Sequence, residues 1–111
     1  MNAIEMADKI TDLVLRKRNV TFIELVNEIG EEAIGESSIA NEELKVVFWD
    51  GISKIFYDAL QLAMRDKVES EPCHYLVYFF DGTALQLPIA KRLRAYKNWH
   101  WLPTIFNPKV T

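Results

Sequence analysis

The chain has 111 residues, half of them apolar and about a quarter charged, with one cysteine and a net charge of −3. That length and apolar share suit one soluble domain around one core and exclude a disordered chain. The runs Leu44 to Trp49 and Tyr75 to Phe80 are too short to span a bilayer, no export core is visible near the N-terminus, and one cysteine closes no internal disulfide, so a cytoplasmic protein without membrane contact is expected.

Residues 2–18 fit an amphipathic helix, because Ile4, Ala7, Ile10 and Leu13/Val14 recur at three- and four-residue steps. Arg16-Lys17-Arg18 closes it with positive charge, which suits the negative end of the helix dipole. Thr21-Phe22-Ile23-Glu24 reads as a capping box, and the helix behind it would bury Phe22, Leu25, Val26 and Ile29 before Gly30 ends it in a left-handed cap. Only Asn19 and Val20 join these helices, so they must be spatial neighbours. Glu31 to Asn41 fits either a short acidic helix or a loop. Leu44 to Trp49 alternates as a strand, and Asp50-Gly51 marks a turn.

Ser53 caps a third predicted helix that runs to about Val68. At 100° per residue, Ile52, Phe56, Ala59, Leu60 and Ala63 fall on one side. Lys54, Asp58, Gln61 and Arg65 fall opposite, with Tyr57 flanking them. Tyr75 to Phe80 and Thr83 to Pro88 then read as a β-hairpin folded at Asp81-Gly82. In that register Leu76, Tyr78, Phe80, Leu85 and Leu87 face the helices. Tyr75, Val77, Phe79, Ala84 and Gln86 form a second face, greasy enough to need cover from the C-terminal segment or a partner chain. Pro88 suits the first turn of a last helix with Ile89, Leu93 and Tyr96 as its apolar stripe. The tail from Asn98 to Pro108, with Trp99, Trp101 and Phe106, is expected to lie extended on the domain or on a neighbour.

This order, three helices and then a two-stranded wing, resembles the winged helix-turn-helix superfamily over residues 4–88. The resemblance rests on element order, on the tight junction after Arg18 and on the helix-to-hairpin step at Asp81-Gly82. It implies an α+β fold, one domain over 1–111, with a winged-helix-like core at 4–88 and a basic, aromatic extension at 89–111. In that superfamily the third helix lies in the major groove and the wing touches a neighbouring groove or the backbone. Carried over, the contacts are Lys54, Tyr57, Gln61 and Arg65 on the helix and Thr83 beside the wing tip. The long interval between the second and third helices, Asp58 among the reading residues, and a tip without Lys or Arg all depart from the family pattern.

Charge is unevenly placed. Residues 1–81 hold eight basic and sixteen acidic side chains, whereas residues 82–111 hold five basic and none acidic. Local field rather than net charge governs binding to phosphates. Within the basic part, Lys91, Arg92, Arg94 and Lys97 interleave with Tyr96 and Trp99, a mixture that grips a nucleic-acid backbone and stacks on bases, or forms the solvated side of a helix. Glu24, Glu28, Glu31, Glu32 and Glu36 make an acidic surface that is either solvated or docks the basic segment of a second copy. Cys73-His74 and His100 do not make a metal-ligand spacing, no base and electropositive pocket for a nucleophilic thiol can be read, and the four scattered glycines form no phosphate loop. The expectation is a non-enzymatic DNA-binding transcriptional regulator, acting as a homodimer without cofactor, metal or small-molecule substrate. RNA is the other nucleic acid it could bind. The alternative is a protein-interaction module on the same scaffold.

Overall fold

A computed structural model describes residues 1–80 and 85–110. α1 (Ala3–Lys17) starts where the Asn2 side chain accepts the Glu5 N–H, and its three- and four-residue stripe buries Met6, Ala7, Ile10, Leu13 and Val14. Its basic end is tied down locally. Arg16 pairs with Asp12 and Glu28, and Lys17 pairs with Glu24. β1 (Val20–Thr21) leads straight into α2 (Phe22–Ile29), whose capping box forms as expected. The Thr21 hydroxyl accepts the Glu24 N–H at 3.1 Å, and the Glu24 carboxylate accepts the Thr21 N–H at 3.1 Å. Thr21→Ala should therefore cost about 1–2 kcal/mol, read as a lower urea midpoint at unchanged slope. Gly30 caps the far end of α2 at a φ of 90° and a ψ of −153°, a positive-φ conformation but not the left-handed helical one.

Residues 31–41 hold a short acidic helix only at their start, and the rest is a strand that neither expected alternative included. A 3₁₀ turn (Glu31–Ala33) passes into β2 (Ile34–Asn41), which pairs antiparallel with β3 (Val46–Ile52). Asp50-Gly51, expected as a turn, lies inside β3, with Gly51 at a φ of 75°. This hairpin is an excursion with a narrow neck. The Ser53 N–H donates to the Ala33 carbonyl at 2.8 Å, and the Ser53 hydroxyl donates to the Glu32 carbonyl at 2.6 Å. Gly35 sits in that neck, where a Cβ would lie 2.7 Å from the Ser53 Cα and 2.8 Å from the Ile52 carbonyl oxygen. The Ser53 hydroxyl also accepts the Phe56 N–H and so starts α3 (Lys54–Asp66). The end of the 3₁₀ turn that follows α2 thus lies beside the start of α3, despite the long sequence interval.

α3 buries Phe56, Ala59, Leu60 and Ala63, the face its spacing selects. It stops at Asp66, where β4 (Val68–Pro72) soon follows, and Lys109 closes its end by donating to the Met64 and Arg65 carbonyls at 2.9 and 3.0 Å. β6 (Thr104–Pro108) is the middle strand of a sheet ordered β1-β6-β4, antiparallel to both neighbours, with Val20 opposite Phe106 and Pro72 opposite Thr104. β5 (His100–Trp101) runs parallel to β3 in a second sheet ordered β2-β3-β5. The result is an α+β fold with four α-helices and two small sheets among the described residues. No helix among the described residues is long and apolar enough to cross a membrane.

Two expected elements are replaced. The predicted strand Tyr75 to Phe80 is instead the short helix α4 (Leu76–Phe80), and residues 85–88 do not pair as its partner. Asp81-Gly82 and Thr83 lie outside the described residues. The helix expected from Pro88 is an irregular run with bends, tied to β5 by hydrogen bonds from the Trp101 N–H to the Pro88 carbonyl and from the Ala90 N–H to the Trp101 carbonyl. A six-residue apolar run satisfies a two-residue and a 3.6-residue period equally, so local pattern does not decide between strand and helix there. Residues 104–108, within the basic extension, supply the central strand of the first sheet.

The core is aromatic at its centre. Phe22 stacks on Trp49 at 5.7 Å and meets Phe106 edge-on at 4.9 Å, while Tyr78 meets Trp101 edge-on at 5.1 Å. The Tyr78 hydroxyl accepts the Phe22 N–H at 3.0 Å and donates to the Thr104 carbonyl at 2.5 Å. That one group fastens α4 to the start of α2 and to β6.

Candidate nucleic-acid interface

Lys54, Gln61 and Arg65 are exposed on the outer face of α3, and Tyr57 is half-buried beside them. Their charges are already answered. Lys54 pairs with Asp58 at 3.2 Å and lies 5.8 Å from the Tyr57 ring centre, while Arg65 forks onto Asp66 through two hydrogen bonds of 3.2 Å. The side-chain hydrogen bond raises Arg65 above its ordinary pKa and lowers Asp66 below its own. Two cations and two carboxylates leave this face neutral. It offers hydrogen-bonding groups for base edges and little net attraction for phosphate.

The basic segment differs. Lys91, Arg92, Arg94 and Lys97 are all exposed, and none forms an ion pair among the described residues. The segment is irregular, yet it is held at both ends. The Tyr96 N–H donates to the Leu44 carbonyl at 3.0 Å, and the His100 N–H donates to the Lys45 carbonyl at 2.9 Å. Below it, Ala90, Leu102 and Val46 form a small core of their own against Tyr96 and Leu44. Lys91, Arg92 and Arg94 line one cleft of about 450 Å³ together with Tyr96 and His100. Within the cluster the Tyr96 ring stacks on His100 at 4.0 Å and the Arg94 guanidinium lies 4.3 Å from its centre.

Comparison with known protein families, with curated proteins and with solved structures finds no match to this chain. Chemistry therefore rests on the side chains alone.

The two expected groups line different clefts. Gln61 borders one shared with Thr104 and Phe106, Arg65 borders a groove between α1 and α3, and Lys91, Arg92 and Arg94 line the third, from which Lys97 is absent. Thr83 lies outside the described residues. Lys109, the remaining cation of the basic part, serves α3 as a cap instead of a surface. Three contributors escaped sequence reasoning. Lys45, at a φ of 57°, swings its ammonium to 5.9 Å from the Trp99 ring. His100 stacks on Tyr96. The His74–Tyr75 pair stacks at 4.6 Å, with Phe79 edge-on to Tyr75 at 5.3 Å. Only Trp99 and Tyr96 had announced themselves, by interleaving with cations.

No group of three or more His, Cys, Asp or Glu side chains among the described residues is placed to hold a metal ion. Burial, and then the charge of Glu71, push the Cys73 thiol up to about 11. A thiolate is scarce there at neutral pH. Alkylation of native Cys73 by iodoacetamide should be slow at pH 7 and accelerate as pH nears about 11. The raised value means the neutral thiol favours the folded state. Its contribution is full below the unfolded thiol's value and lost as pH rises through the folded one.

Proposed function

We propose that this protein binds nucleic acid as a winged helix-turn-helix DNA-binding regulator. The observation that carries the reading is the set of four exposed cations, Lys91, Arg92, Arg94 and Lys97, that hold no ion pair among the described residues, the first three lining one cleft with Tyr96 and His100. The element order supports the fold type. Three helices precede two antiparallel strands, β4 and β6, which stand far apart in sequence, and a wing would stand between them. The narrow neck at Ser53 supports it too, since it brings the start of α3 back beside the 3₁₀ turn that follows α2. On this reading the basic segment supplies phosphate affinity and Lys54, Tyr57, Gln61 and Arg65 supply base contacts. The active form proposed is a homodimer. Ile4 and Leu15 stand exposed on α1 beside the groove shared with α3 and offer an apolar contact.

The test is fluorescence anisotropy of labelled mixed-sequence duplex DNA across a salt series. Micromolar or tighter binding that weakens steeply with salt is expected. Lys54→Ala with Arg65→Ala should lower affinity about tenfold or more, at about 1–3 kcal/mol per base contact. Asp58→Asn should raise it, because a carboxylate facing phosphate disappears. An unchanged affinity in the double variant removes α3 from the interface.

A second reading, a protein-interaction module, is favoured by a specific feature. Leu76, Phe79 and Leu93 are 45, 52 and 53 % exposed and offer apolar contacts to a partner.

A further inference from the structure

We infer that the face built by residues 73–79 and 85–101 is a track for an unpaired nucleic-acid strand. The inference deepens the nucleic-acid reading above and rests on it for the class of ligand. Three clefts of about 390, 480 and 450 Å³ adjoin at Ile89, the first and second also sharing Tyr75 and the second and third Lys91. One end is aromatic, with Tyr75 and Phe79 in the first cleft. Cys73, His74 and Lys91 occupy the middle. The other end is the cationic cleft with Arg92, Arg94 and the Tyr96–His100 stack. Among the described residues none of the three is lined by a carboxylate, whereas the groove between α1 and α3 is lined by Asp8, Asp12 and Asp66.

The side chains match a strand more closely than a duplex. Paired bases turn their edges to a groove and bury their faces in the stack. Exposed aromatic rings find no free base face to stack on in such a duplex. Unpaired bases can lie flat on a ring, and a cation at the same spacing takes the phosphate. Phe79 is 52 % exposed and Tyr75 is half-buried at its edge, which leaves ring surface for a base at the end away from the cations. The Arg94 guanidinium, seated over Tyr96, points to phosphate or to a stacked base at the other end. The His100 Nδ1–H donates to the Asn98 carbonyl at 2.8 Å, which holds that ring flat against Tyr96.

The decisive experiment compares a fluorescein-labelled oligothymidylate of about 12 nucleotides, within the span of single-strand grooves, with a mixed-sequence duplex on the full chain. The oligothymidylate should bind about tenfold tighter than the duplex at equal salt. Phe79→Ala should weaken strand binding by about 5-fold or more, from about 1–3 kcal/mol per stacked base, and leave duplex binding unchanged. Arg94→Ala should weaken the binding of both. Lys54→Ala with Arg65→Ala should leave strand binding unchanged. Both Phe79 and Arg94 are exposed, and circular dichroism of each variant checks the fold. Duplex preferred over strand, or strand affinity indifferent to Phe79→Ala, overturns the track while the duplex-binding reading stands. Absence of binding to either probe at low salt overturns both.

Discussion

Trp101→Ala should destabilise the protein by about 3–5 kcal/mol, whereas Trp99→Ala, two residues away, should change stability by less than about 1 kcal/mol. The difference is one of environment. Trp101 is fully buried, and Trp99 is 36 % exposed. The Trp101 indole meets Tyr78 edge-on at 5.1 Å and tilts against Trp49 at 6.1 Å, and its N–H donates to the Phe48 carbonyl at 3.3 Å. Its backbone joins β3 on one side and Pro88 and Ala90 on the other. Truncation opens a large cavity where the two sheets, α4 and the basic segment converge, and it leaves the Phe48 carbonyl without this donor. For a domain of this size the loss corresponds to a melting temperature lower by roughly 10–25 °C. Thermal unfolding of both variants by circular dichroism measures it. Equal destabilisation by the two substitutions would contradict the arrangement of residues 99–102.

Neutralising the basic segment should have the largest effect on binding. Replacing Lys91, Arg92, Arg94 and Lys97 by glutamine should cut duplex affinity by about 10²–10³-fold at low salt and flatten the salt dependence. Every phosphate that is no longer neutralised takes about 0.9 from the slope of log K against log salt. The fold should survive, since all four side chains are exposed and hold no ion pair among the described residues. This segment is singled out because α3 is neutral. There Asp58 and Asp66 cancel Lys54 and Arg65, so long-range attraction must come from elsewhere. An unchanged slope would show that the segment does not touch phosphate and would favour the protein-interaction reading, with Leu76, Phe79 and Leu93 as the residues that meet the partner.

The candidate site was legible where its parts are local. Interleaved cations and aromatics from Lys91 to Trp99 are visible as a string, and so is the polar face of α3. The pairing of each α3 cation with an aspartate was half visible, since Lys54 and Asp58 stand four residues apart, the spacing of neighbours on a helix. Tyr75 and Phe79 were misplaced, because a predicted strand put them on one sheet face, whereas Phe79 lies in the short helix α4 and Tyr75 just before it. Lys45 joined the basic cluster through a parallel strand pairing that no short window contains.

By itself the sequence determined the elements whose signals close within a few residues. α1 and α3 follow from their apolar stripes and from the capping side chains of Asn2 and Ser53, and α2 follows from the box Thr21 makes with Glu24. Each is a hydrogen bond or a contact between residues three or four apart, so the energy that decides it is written locally. Tertiary structure alone decided the rest. Residues 104–108 became a central strand because β1 and β4, far away in sequence, left edges on both sides of them. Residues 76–80 became a helix because one turn buries the Tyr78 ring and lets its hydroxyl bridge Phe22 and Thr104. Residues 88–99 stayed irregular because their backbone groups found partners in β5 and the β2–β3 hairpin instead of in one another. In those stretches the apolar pattern fits more than one period, and the choice falls to whichever arrangement satisfies buried backbone groups and fills the aromatic core.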